Sequence, residues 1–563
     1  MNIIYIILRR MRRPLLTLIL VYALAILGLV LIPGQDGDGN PWHMDFFHAF
    51  YFVSFMSTTI GFGEIPYPFT GGQRMWVAFA LYGSVISWIY AIGTLLALVQ
   101  DRTFQQAVRE NLFARRIRHL PEPFYLICGY GETGSALVRS LTDRDQHVVV
   151  VDIDQDRVNL LQLENLRQYV PALHGDASLP VHLLEAGLEH PLCEGVVALT
   201  NSNEVNLKVA ITSKLLHPDI KVICRAESRD IENNMASFGT DYVIDPFDTF
   251  ANHLAIALQA PGLYLLHEWL SGMSYEPLHE PVYPPQEGHW IICGYGRFGK
   301  AVYRRLKGEG IDPVVVEFEP ELTAAPEGTI RGRGTEASTL EEAGIDQAVG
   351  LVAGTDDDAN NLSIIMTARV LRSDLFVVAR QNRMDNHAII QAVNADMVMH
   401  SSTIIANKVR VLLGTPLLHE FMSLSMYESE GWSCELISRI TALVESKVPT
   451  VWEVDITPEQ ALAVCSSVER GVPVALQSLI SDPGDNQKKL ACIPLLVKRD
   501  SSTTMLPEEG FLLKPGDRLL FCGRESARDR LGWALQNTHA LDYILTGEVR
   551  PQGWAWRLFR KVH

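Results

Sequence analysis

Residues 126–134 read LICGYGETG, and residues 291–299 read IICGYGRFG. Each stretch begins with an apolar run typical of a buried strand and continues into a turn with three glycines. A second apolar run that ends in an acid follows each turn, at 148–152 and at 314–317. The likeness persists beyond residue 240, while the offset of 165 residues shrinks to about 155. The sequence therefore predicts a duplicated domain, not a short solenoid repeat.

The glycine turns predict two βαβ units of the dinucleotide-binding type. Each turn follows a predicted strand, opens a helix, and has an acid eighteen residues beyond its last glycine. The free N–H groups at the start of such a helix bind anions. The residues expected at the first site are Gly129, Tyr130, Gly131, Glu132, Thr133, Gly134, Asp152 and Asp176. Those expected at the second are Gly294, Tyr295, Gly296, Arg297, Phe298, Gly299, Glu317 and Arg333.

The ligand class follows from the roles of these residues. The first glycine permits the tight turn, the second lets the backbone approach a pyrophosphate, and the third allows close helix–strand packing. Asp152 or Glu317 would bind ribose hydroxyls and repel a 2′-phosphate, which favours NAD, ADP or AMP over NADP. Asp176 suits a nucleobase or a cation, whereas Arg333 suits a phosphate. A domain that has kept the fold but lost its ligand remains the alternative for either copy.

Two uncharged runs near the start of the chain predict membrane-spanning helices. Pro14 to Ile32 has nineteen residues and Met75 to Val99 has twenty-five, and about 20 are needed to cross a bilayer. Arginines precede the first run and follow the second, so the positive-inside rule places both termini in the cytosol. A cleaved signal peptide is the alternative for the first run, although no small-residue cleavage site follows it.

The segment between the two runs carries a third apolar piece and a glycine-rich loop. Phe46 to Met56 has eleven residues, too few to span, which favours a re-entrant helix. Residues 58–64, TTIGFGE, follow it. Alternating glycines suit a backbone whose carbonyl groups all point to one side. A simple hairpin anchor would leave this pattern unexplained.

The order of span, short helix, glycine loop and span resembles the pore of two-span potassium channels. Thr59, Ile60, Gly61, Phe62 and Gly63 match the selectivity filter, and Glu64 stands where the family usually has Asp. The resemblance implies that the carbonyls of the first four of these residues and the hydroxyl of Thr59 bind potassium ions. It also makes Gly83 the gating hinge, with an ordinary packing glycine as the alternative. The helical spacing predicts that four residues of the second span share the face toward the pore: Ser84, Ser87, Ala91 and Leu95.

The two tandem domains resemble RCK domains, which regulate potassium conductance. The closest family is the prokaryotic two-span potassium channel with two RCK domains in each subunit. This resemblance implies a homotetramer in the bilayer, with an eight-domain cytosolic gating ring that responds to NAD or to ADP and AMP. It makes calcium a further candidate ligand, for which Asp356, Asp357 and Asp358 are oxygen-rich. A helix cap explains these three acids equally well, so no metal-site residues are assigned.

The predicted fold class is a multidomain membrane protein: an α-helical two-span pore with a re-entrant pore helix, two Rossmann-like α/β RCK domains, and a C-terminal β-rich α+β subdomain. The predicted boundaries are: cytosolic N-terminus 1–13; pore 14–100, with outer helix 14–32, pore helix 44–57, filter 58–64 and inner helix 74–100; linker 101–122; first copy 123–250; crossover helices and Pro-rich linker 251–286; second copy 287–406; crossover helices 407–427; C-terminal subdomain 428–536; and tail 537–563.

Composition excludes or disfavours several other classes. The net charge of −17 argues against a nucleic-acid partner. The eight cysteines form no C-x-x-C pair and several lie in apolar runs, which predicts buried free thiols in a reducing cytosol and no zinc site. We expect a plasma-membrane channel and no enzyme. The alternatives are a regulatory subunit of a separate potassium transporter, which would lack its own filter, and a membrane-anchored NAD-dependent oxidoreductase, which would need a proton shuttle that the sequence does not display.

Overall fold

The computed structural model describes residues 3–61, 65–272, 277–278, 280–444 and 446–548. Its internal contacts divide the chain into two compact units, Met1–Leu120 and Pro121–His563. Three residues of the predicted filter segment, Phe62, Gly63 and Glu64, lie outside the described residues, as does the tail from residue 549 onward.

The first unit is helical, with one small hairpin. Its elements are α1 (Ile3–Leu31), β1 (Gly34–Gln35), β2 (Pro41–Trp42), α2 (Phe46–Ser57), α3 (Gly71–Gln100) and α4 (Arg102–Arg118). Helices α1 and α3 are both long and apolar enough to cross a membrane, and α2 is a shorter apolar helix between them. The three helices pack around a core that includes Leu29, Val53 and Ala80.

Helix α1 begins eleven residues before the start that the uncharged run predicts. Pro14 therefore lies inside the helix. The guanidinium of Arg10 contacts the carboxylate of Asp101, at the end of α3, at 2.7 Å. The uncharged run shows where the apolar part of this helix begins. The helix itself begins earlier, because the arginine-containing segment before the run is also helical.

The starts of α2 and α3 are fixed by side-chain caps. The Asp45 carboxylate accepts a hydrogen bond from the His48 backbone N–H at 2.7 Å, and Thr70 and Gln73 form a capping box at the start of α3. Such caps satisfy backbone donors that have no partner within the helix.

The predicted pore-facing set of α3 is largely wrong for this chain. Ser84, Ser87 and Ala91 are buried within the first unit, and only Leu95 is exposed, at 47%. A face toward a central pore has to be open in a single subunit, because only other copies and water could cover it. A Cβ added at Gly83 would lie 3.5 Å from Val21 of α1, which places this glycine in the contact between the two long helices.

The second unit begins with the two copies of the duplicated domain. The first copy and its following helices comprise β3 (Phe124–Cys128), α5 (Glu132–Thr142), β4 (His147–Asp152), α6 (Gln155–Leu163), β5 (Ala172–His174), α7 (Pro180–Glu185), β6 (Cys193–Ala198), α8 (Asn203–Leu216), β7 (Lys221–Arg225), α9 (Arg229–Ser237), β8 (Tyr242–Ile244), α10 (Pro246–Gln259) and α11 (Pro261–Ser271).

The second copy repeats this order. Its elements are β9 (His289–Cys293), α12 (Arg297–Gly308), β10 (Val314–Glu317), α13 (Pro320–Thr323), β11 (Ile330–Arg331), α14 (Ala337–Glu342), β12 (Ala348–Ala353), α15 (Asp358–Leu371), β13 (Phe376–Gln381), α16 (His387–Ala392), β14 (Met397–His400), α17 (Ser401–Gly414) and α18 (Pro416–Ser425).

Both copies form the predicted Rossmann-like sheet. The strand orders are β5-β4-β3-β6-β7-β8 and β11-β10-β9-β12-β13-β14, and every pair is parallel. The central strands β3 and β9 carry almost no polar residue because helices cover both faces of a doubly wound sheet. The strand order reverses beside β3 and beside β9, and ligands bind at such switch points.

The helices after each sheet cross over to the other copy. Helix α10, which follows the first sheet, packs on α12 of the second copy, and Phe250 contacts Phe298 with ring centroids 5.5 Å apart. Helix α17, which follows the second sheet, packs on α5, and Ile405 and Val409 join the core of the first copy. The crossover helices begin earlier than the predicted boundaries at 251 and 407, since α10 starts at Pro246 and α17 at Ser401.

The chain continues into a C-terminal α+β subdomain. It comprises α19 (Glu430–Leu443), β15 (Thr450–Asp455), α20 (Leu462–Glu469), α21 (Leu476–Leu479), β16 (Ser481–Asp482), β17 (Asp485–Lys489), β18 (Cys492–Arg499), β19 (Ser502–Met505), β20 (Arg518–Gly523), α22 (Glu525–Gln536) and α23 (Thr538–Thr546). Four antiparallel strands form its main sheet, in the order β15-β20-β18-β19. All eight cysteines are free thiols. Seven are buried, in agreement with the prediction from the apolar runs, and Cys434 is exposed.

A buried histidine makes the second unit sensitive to acid. His267 of α11 is 7% exposed and its Nε2 lies 2.9 Å from the Ser425 hydroxyl of α18. Burial, and secondarily the charge of His253, lowers the pKa of His267 to about 4, from an ordinary value of 6.5. The pKa of His267 is lower in the folded protein than in the unfolded one. The contribution of the neutral imidazole to the free energy of unfolding is therefore complete above pH 6.5 and is lost as the pH falls toward 4.

We predict that acidification from pH 6.5 to pH 4 removes about 3 kcal/mol of stability through His267 alone, at about 1.4 kcal/mol per pKa unit. The measurement is the free energy of unfolding of the full chain in detergent as a function of pH, followed by the fluorescence of the second unit. His267→Gln keeps a polar group near Ser425 but does not titrate in this range, so its profile should be shallower by that amount. Identical profiles for the two proteins would contradict this assignment.

Candidate functional site: two glycine turns and a loop between spanning helices

The two glycine turns have the same geometry. Gly129 and Gly294 adopt φ values of +104° and +94°, which residues with a Cβ rarely adopt. A Cβ on Gly134 would lie 2.0 Å from the carbonyl oxygen of Gly129, and Gly299 stands in the same relation to Gly294. The third glycine of each turn is therefore required by the fold itself.

The middle glycines occupy open positions. A Cβ on Gly131 would meet nothing nearer than the guanidinium of Arg157, at 3.6 Å, and a Cβ on Gly296 would meet no atom within 4 Å. Both residues are the N-caps of helices, α5 and α12, and neither has a side chain to occupy the free backbone donors. The space over each helix start is thus open to an anion.

The predicted ribose-binding acids contact the turns directly. The Asp152 carboxylate accepts hydrogen bonds from the backbone N–H groups of Tyr130, at 2.5 Å, and Asp154, at 2.7 Å. Glu317 accepts equivalent bonds from Tyr295, at 2.5 Å, and Glu319, at 3.1 Å. Asp152 is only 4% exposed. Each acid therefore holds its glycine turn against the neighbouring strand, a role that sequence spacing did not suggest.

Several predicted site residues contribute backbone and not side chain. Tyr130, Thr133, Tyr295 and Phe298 all have buried side chains. The side chains of Tyr130 and Phe298 pack in the cores of the first and second copies, while the polypeptide at all four positions belongs to the turn and the start of the helix. Glu132 and Arg297, at the first helical position of each copy, remain partly accessible.

Asp176 and Arg333 lie at the same edge of their sheets as the turns. The N–H of Gly175 donates to the Asp152 carbonyl at 2.9 Å, and that of Gly332 donates to the Glu317 carbonyl at 3.1 Å. The Ser178 backbone N–H, 2.8 Å from Asp176 Oδ1, holds the pKa of this carboxyl below its usual range. The Arg333 guanidinium stacks over the Phe318 ring at 4.6 Å.

Each glycine turn faces the other copy. Glu132 lies 3.6 Å from the imidazole of His400, the N-cap of α17, and accepts a hydrogen bond from the Met384 N–H at 3.4 Å. Arg297 is paired with Glu227 of the first copy, and its guanidinium lies 5.3 Å from the Phe247 ring centroid. The sequence alone placed Arg297 at the second nucleotide site, and in the structure this side chain bridges the two copies.

Arg157 is a site residue that the sequence analysis missed. Its guanidinium lies next to the open position over Gly131 and 3.8 Å from the Asp152 carboxylate. Arg157 stands five residues after Asp152, and the corresponding position of the second copy is Leu322. This difference between the copies was the available signal. The first turn thus has a cation beside it, whereas Arg297 and Lys300 supply the positive charge near the second.

Two of the three adjacent acids of the second copy have separate tasks. Asp357 caps α15 by accepting from the N–H groups of Ala359 and Asn360. Asp358 is buried and accepts hydrogen bonds from Asn382, Arg383 and Asn386. Burial raises the pKa of Asp358, but these hydrogen bonds outweigh it, and the pKa is lowered overall. Across the described residues, no three acid, histidine or cysteine side chains converge as metal ligands.

The loop between the spanning helices begins with left-handed backbone. Thr59 and Gly61 have φ values of +61° and +66°. The N–H groups of Thr59 and Ile60 turn back to carbonyls of α2, at 3.1 Å each. Within the described part of the chain, no N–H group donates to the carbonyl oxygens of Thr59 and Ile60. At membrane depth such carbonyls need another partner.

Comparison with known proteins agrees with this division of the chain. A family model described as "Ion channel" matches residues 15–101, and the TrkA-N domain matches residues 125–246 and 290–401. The chain is therefore a membrane protein that joins an ion-channel region to two TrkA-N domains.

Individual relatives cover the chain unevenly. Potassium channel protein 1 of Methanocaldococcus jannaschii is 26% identical over 36% of this chain and 59% of its own length. The GsuK channel bound to NAD covers 95% of this chain and 100% of that structure at 16% identity and a TM-score of 0.48, and GsuK bound to ADP covers 73% and 99% at 20% identity and a TM-score of 0.46. The chain spans about one third to two thirds of the length of the curated relatives that it matches.

The geometry of the turns predicts opposite effects for two glycines only three residues apart. Gly131→Val places atoms in open space over the helix start, so the protein should fold normally and lose at least tenfold in affinity for NAD or ADP. Gly134→Ala forces a methyl group into the Gly129 carbonyl and should destabilise the second unit by roughly 3 kcal/mol or more.

Calorimetric titration of the full chain in detergent and its thermal unfolding midpoint distinguish the two effects. Gly296→Val is the matched variant for the second copy. An unaltered affinity in both valine variants would exclude these turns as nucleotide sites, and an unchanged midpoint for Gly134→Ala would contradict the close approach.

Proposed function

We propose that this chain is the subunit of a potassium-selective channel. The observation that carries the proposal is the end of α2: a short apolar helix between two spanning helices runs directly into left-handed Thr59 and Gly61, within the segment that matches the ion-channel model. Thr59, Ile60, Gly61, Phe62 and Gly63 form the proposed filter. Potassium ions are bound by the carbonyl oxygens of the first four of these residues and by the hydroxyl of Thr59.

Four copies are required by this function. A single loop cannot surround an ion, and potassium filters are built from four such loops. The exposed apolar residues of α2 and α3, among them Phe46, Phe47 and Ile86, are the surfaces available to lipid and to neighbouring subunits. The proposed assembly lies in the plasma membrane with both termini in the cytosol and carries eight TrkA-N domains in a gating ring.

The proposed gating ligands are adenine nucleotides bound at the glycine turns. Gly131 and Gly296 leave open space over two helix starts, and the GsuK structures named above hold NAD and ADP. Each turn faces the other copy, so a ligand there changes contacts such as Glu132–His400 and shifts the ring between two states. It can do so only by its differential affinity for those states.

Calcium is a further proposed effector without assigned ligands. Asp357 and Asp358 are engaged in a helix cap and a loop, so a calcium site at the run of three acids would require them to exchange partners. We infer that the chain has no enzymatic role. The backbone N–H groups that are open at both turns suit the binding of an anion.

Potassium flux into liposomes tests the proposed function. Purified wild-type protein should show flux that favours potassium over sodium at some level of NAD, ADP or calcium. Gly61→Ala introduces a Cβ at a φ of +66°, at a cost of about 1 kcal/mol per filter loop, and should abolish selective flux because four distorted loops meet at one ion path.

Gly37→Ala is the matched control. Gly37 lies in the loop between α1 and α2, has no positive φ, and has no atom within 4 Å of an added Cβ, so its flux should equal that of the wild type. Absence of potassium flux from wild-type protein under every ligand condition would sink the channel proposal. Selective flux through Gly61→Ala would refute the assignment of the filter.

A further inference from the structure

A wide cleft of the second unit lies away from both glycine turns. It is bounded by the turn after α5, the end of α17, and the β15, β20 and α22 elements of the C-terminal subdomain, and its volume is about 910 Å³. Sites for small organic ligands fall in the range of about 300–1,000 Å³. Arg144, Arg410, Gly414 and Arg528 are among the residues that line it.

Arg144 differs from its counterpart in the second copy. The turns after α5 and α12 correspond, because Asp145 and Gly310 both adopt positive φ values, of 60° and 82°. Arg144 therefore corresponds to Glu309. In the second copy, Gln259 at the end of α10 donates a hydrogen bond to the Glu309 carboxylate at 2.5 Å. That acid is thus bound by the crossover helix that packs over it.

The crossover helix offers Arg144 no such partner. The position of α17 that corresponds to Gln259 of α10 is Gly414, since each is the last residue of a fourteen-residue helix and precedes an X-Pro pair. A Cβ added at Gly414 would lie 3.5 Å from the Arg144 guanidinium. Glycine therefore leaves room at the place where the other copy has a polar side chain, and the cleft occupies this room.

Most acids around the cleft are already paired. Glu453 and Asp455 contact Arg518 at 2.9 Å and 3.1 Å, and Asp145 contacts Arg167 at 3.5 Å. Within the described ranges, by contrast, no carboxylate lies within ion-pair distance of Arg144.

Two positive charges of the cleft, those of Arg144 and Arg528, have no close acidic partner among the described residues. Among the residues that the structure describes, the acids in contact with Arg528 are Asp529 and Glu525, at 3.6 Å and 3.9 Å. Desolvation by the surrounding walls lowers the pKa of Arg144, and the charge of Arg528 lowers it further. Two neighbouring guanidinium groups of this kind are stabilised by an anion placed between them.

We propose that this cleft is a separate binding site for a small molecule that carries phosphate, held between Arg144 and Arg528. Guanidinium groups match phosphate oxygens with paired hydrogen bonds, which makes arginine the preferred residue for such recognition. The site joins the first copy to the C-terminal subdomain, so its ligand stabilises that contact. The glycine turns take no part in it, and it stands whether or not the chain conducts potassium.

Inorganic pyrophosphate is the probe, titrated calorimetrically into the full chain in detergent. The background protein carries Gly131→Val and Gly296→Val, so that the glycine turns do not take up the probe. Saturable binding should persist in this background. Arg144→Gln and Arg528→Gln should each lower the affinity about tenfold, and Gly414→Gln should lower it similarly by supplying Arg144 with the partner that the second copy has.

Arg530→Gln is the matched control. Arg530 lies on the same helix as Arg528 and is exposed, but it pairs with Asp482 and does not line the cleft, so its removal should leave the affinity unchanged. Arg144→Lys preserves the charge and guards against a folding defect, and its affinity should lie between those of the wild type and Arg144→Gln. Thermal midpoints equal to that of the background protein confirm that the variants are folded.

Two results would overturn the proposal. One is the absence of pyrophosphate binding in the background protein. The other is an equal loss in Arg144→Gln and Arg530→Gln, which would reduce the effect to net charge. A titration with ADP tests whether the phosphate group is what the site recognises. If Arg144→Gln lowers the affinity for ADP as much as that for pyrophosphate, recognition of the phosphate group is supported. If ADP binds with the same affinity with and without Arg144, the proposal is contradicted.

Discussion

The structure of the second unit depends on an exchange of helices between the two copies. Each sheet leaves the apolar face of its first helix uncovered, and the helix that follows the other sheet covers it. Phe247 and Phe250 of α10 complete the core of the second copy, and Ile405 and Val409 of α17 complete that of the first. Neither copy therefore has a complete core alone. Burial of apolar side chains is the main favourable term in folding, so each copy depends on the helix of the other for part of its stability.

This exchange also places the functional turns. The same packing that buries α10 and α17 brings the start of each glycine turn against residues of the other copy. Glu132 meets His400 in one cleft, and Arg297 meets Glu227 in the other. The two clefts are related by the duplication, but the first helical residue after the turn is an acid in the first copy, Glu132, and a base in the second, Arg297. A ligand bound at either turn would therefore lie at the interface between the copies and not only at a local loop.

The duplication has diverged most where the copies meet different neighbours. The end of α10 presents Gln259 to Glu309, while the end of α17 presents Gly414 to Arg144 and opens a cleft toward the C-terminal subdomain, which follows the second copy only. Arg157 and Leu322 show the same divergence beside the glycine turns. Comparison of the two copies thus separates what the fold requires, such as Gly134 and Gly299, from what each site has acquired.

The sequence by itself determined the duplicated Rossmann-like fold and its turns, because strand periodicity, glycine spacing and the following acid are local signals. It likewise determined the two helices that are long and apolar enough to span a membrane, since an uncharged run of about 20 residues is what a helix needs to cross a bilayer. Only the tertiary structure decided that Asp152 holds the turn, that Arg297 pairs with Glu227, and that Ser84 and Ser87 are buried within the first unit. Each of these depends on residues that are distant in the chain, and a charge or hydroxyl in a sequence does not specify which neighbour it will meet.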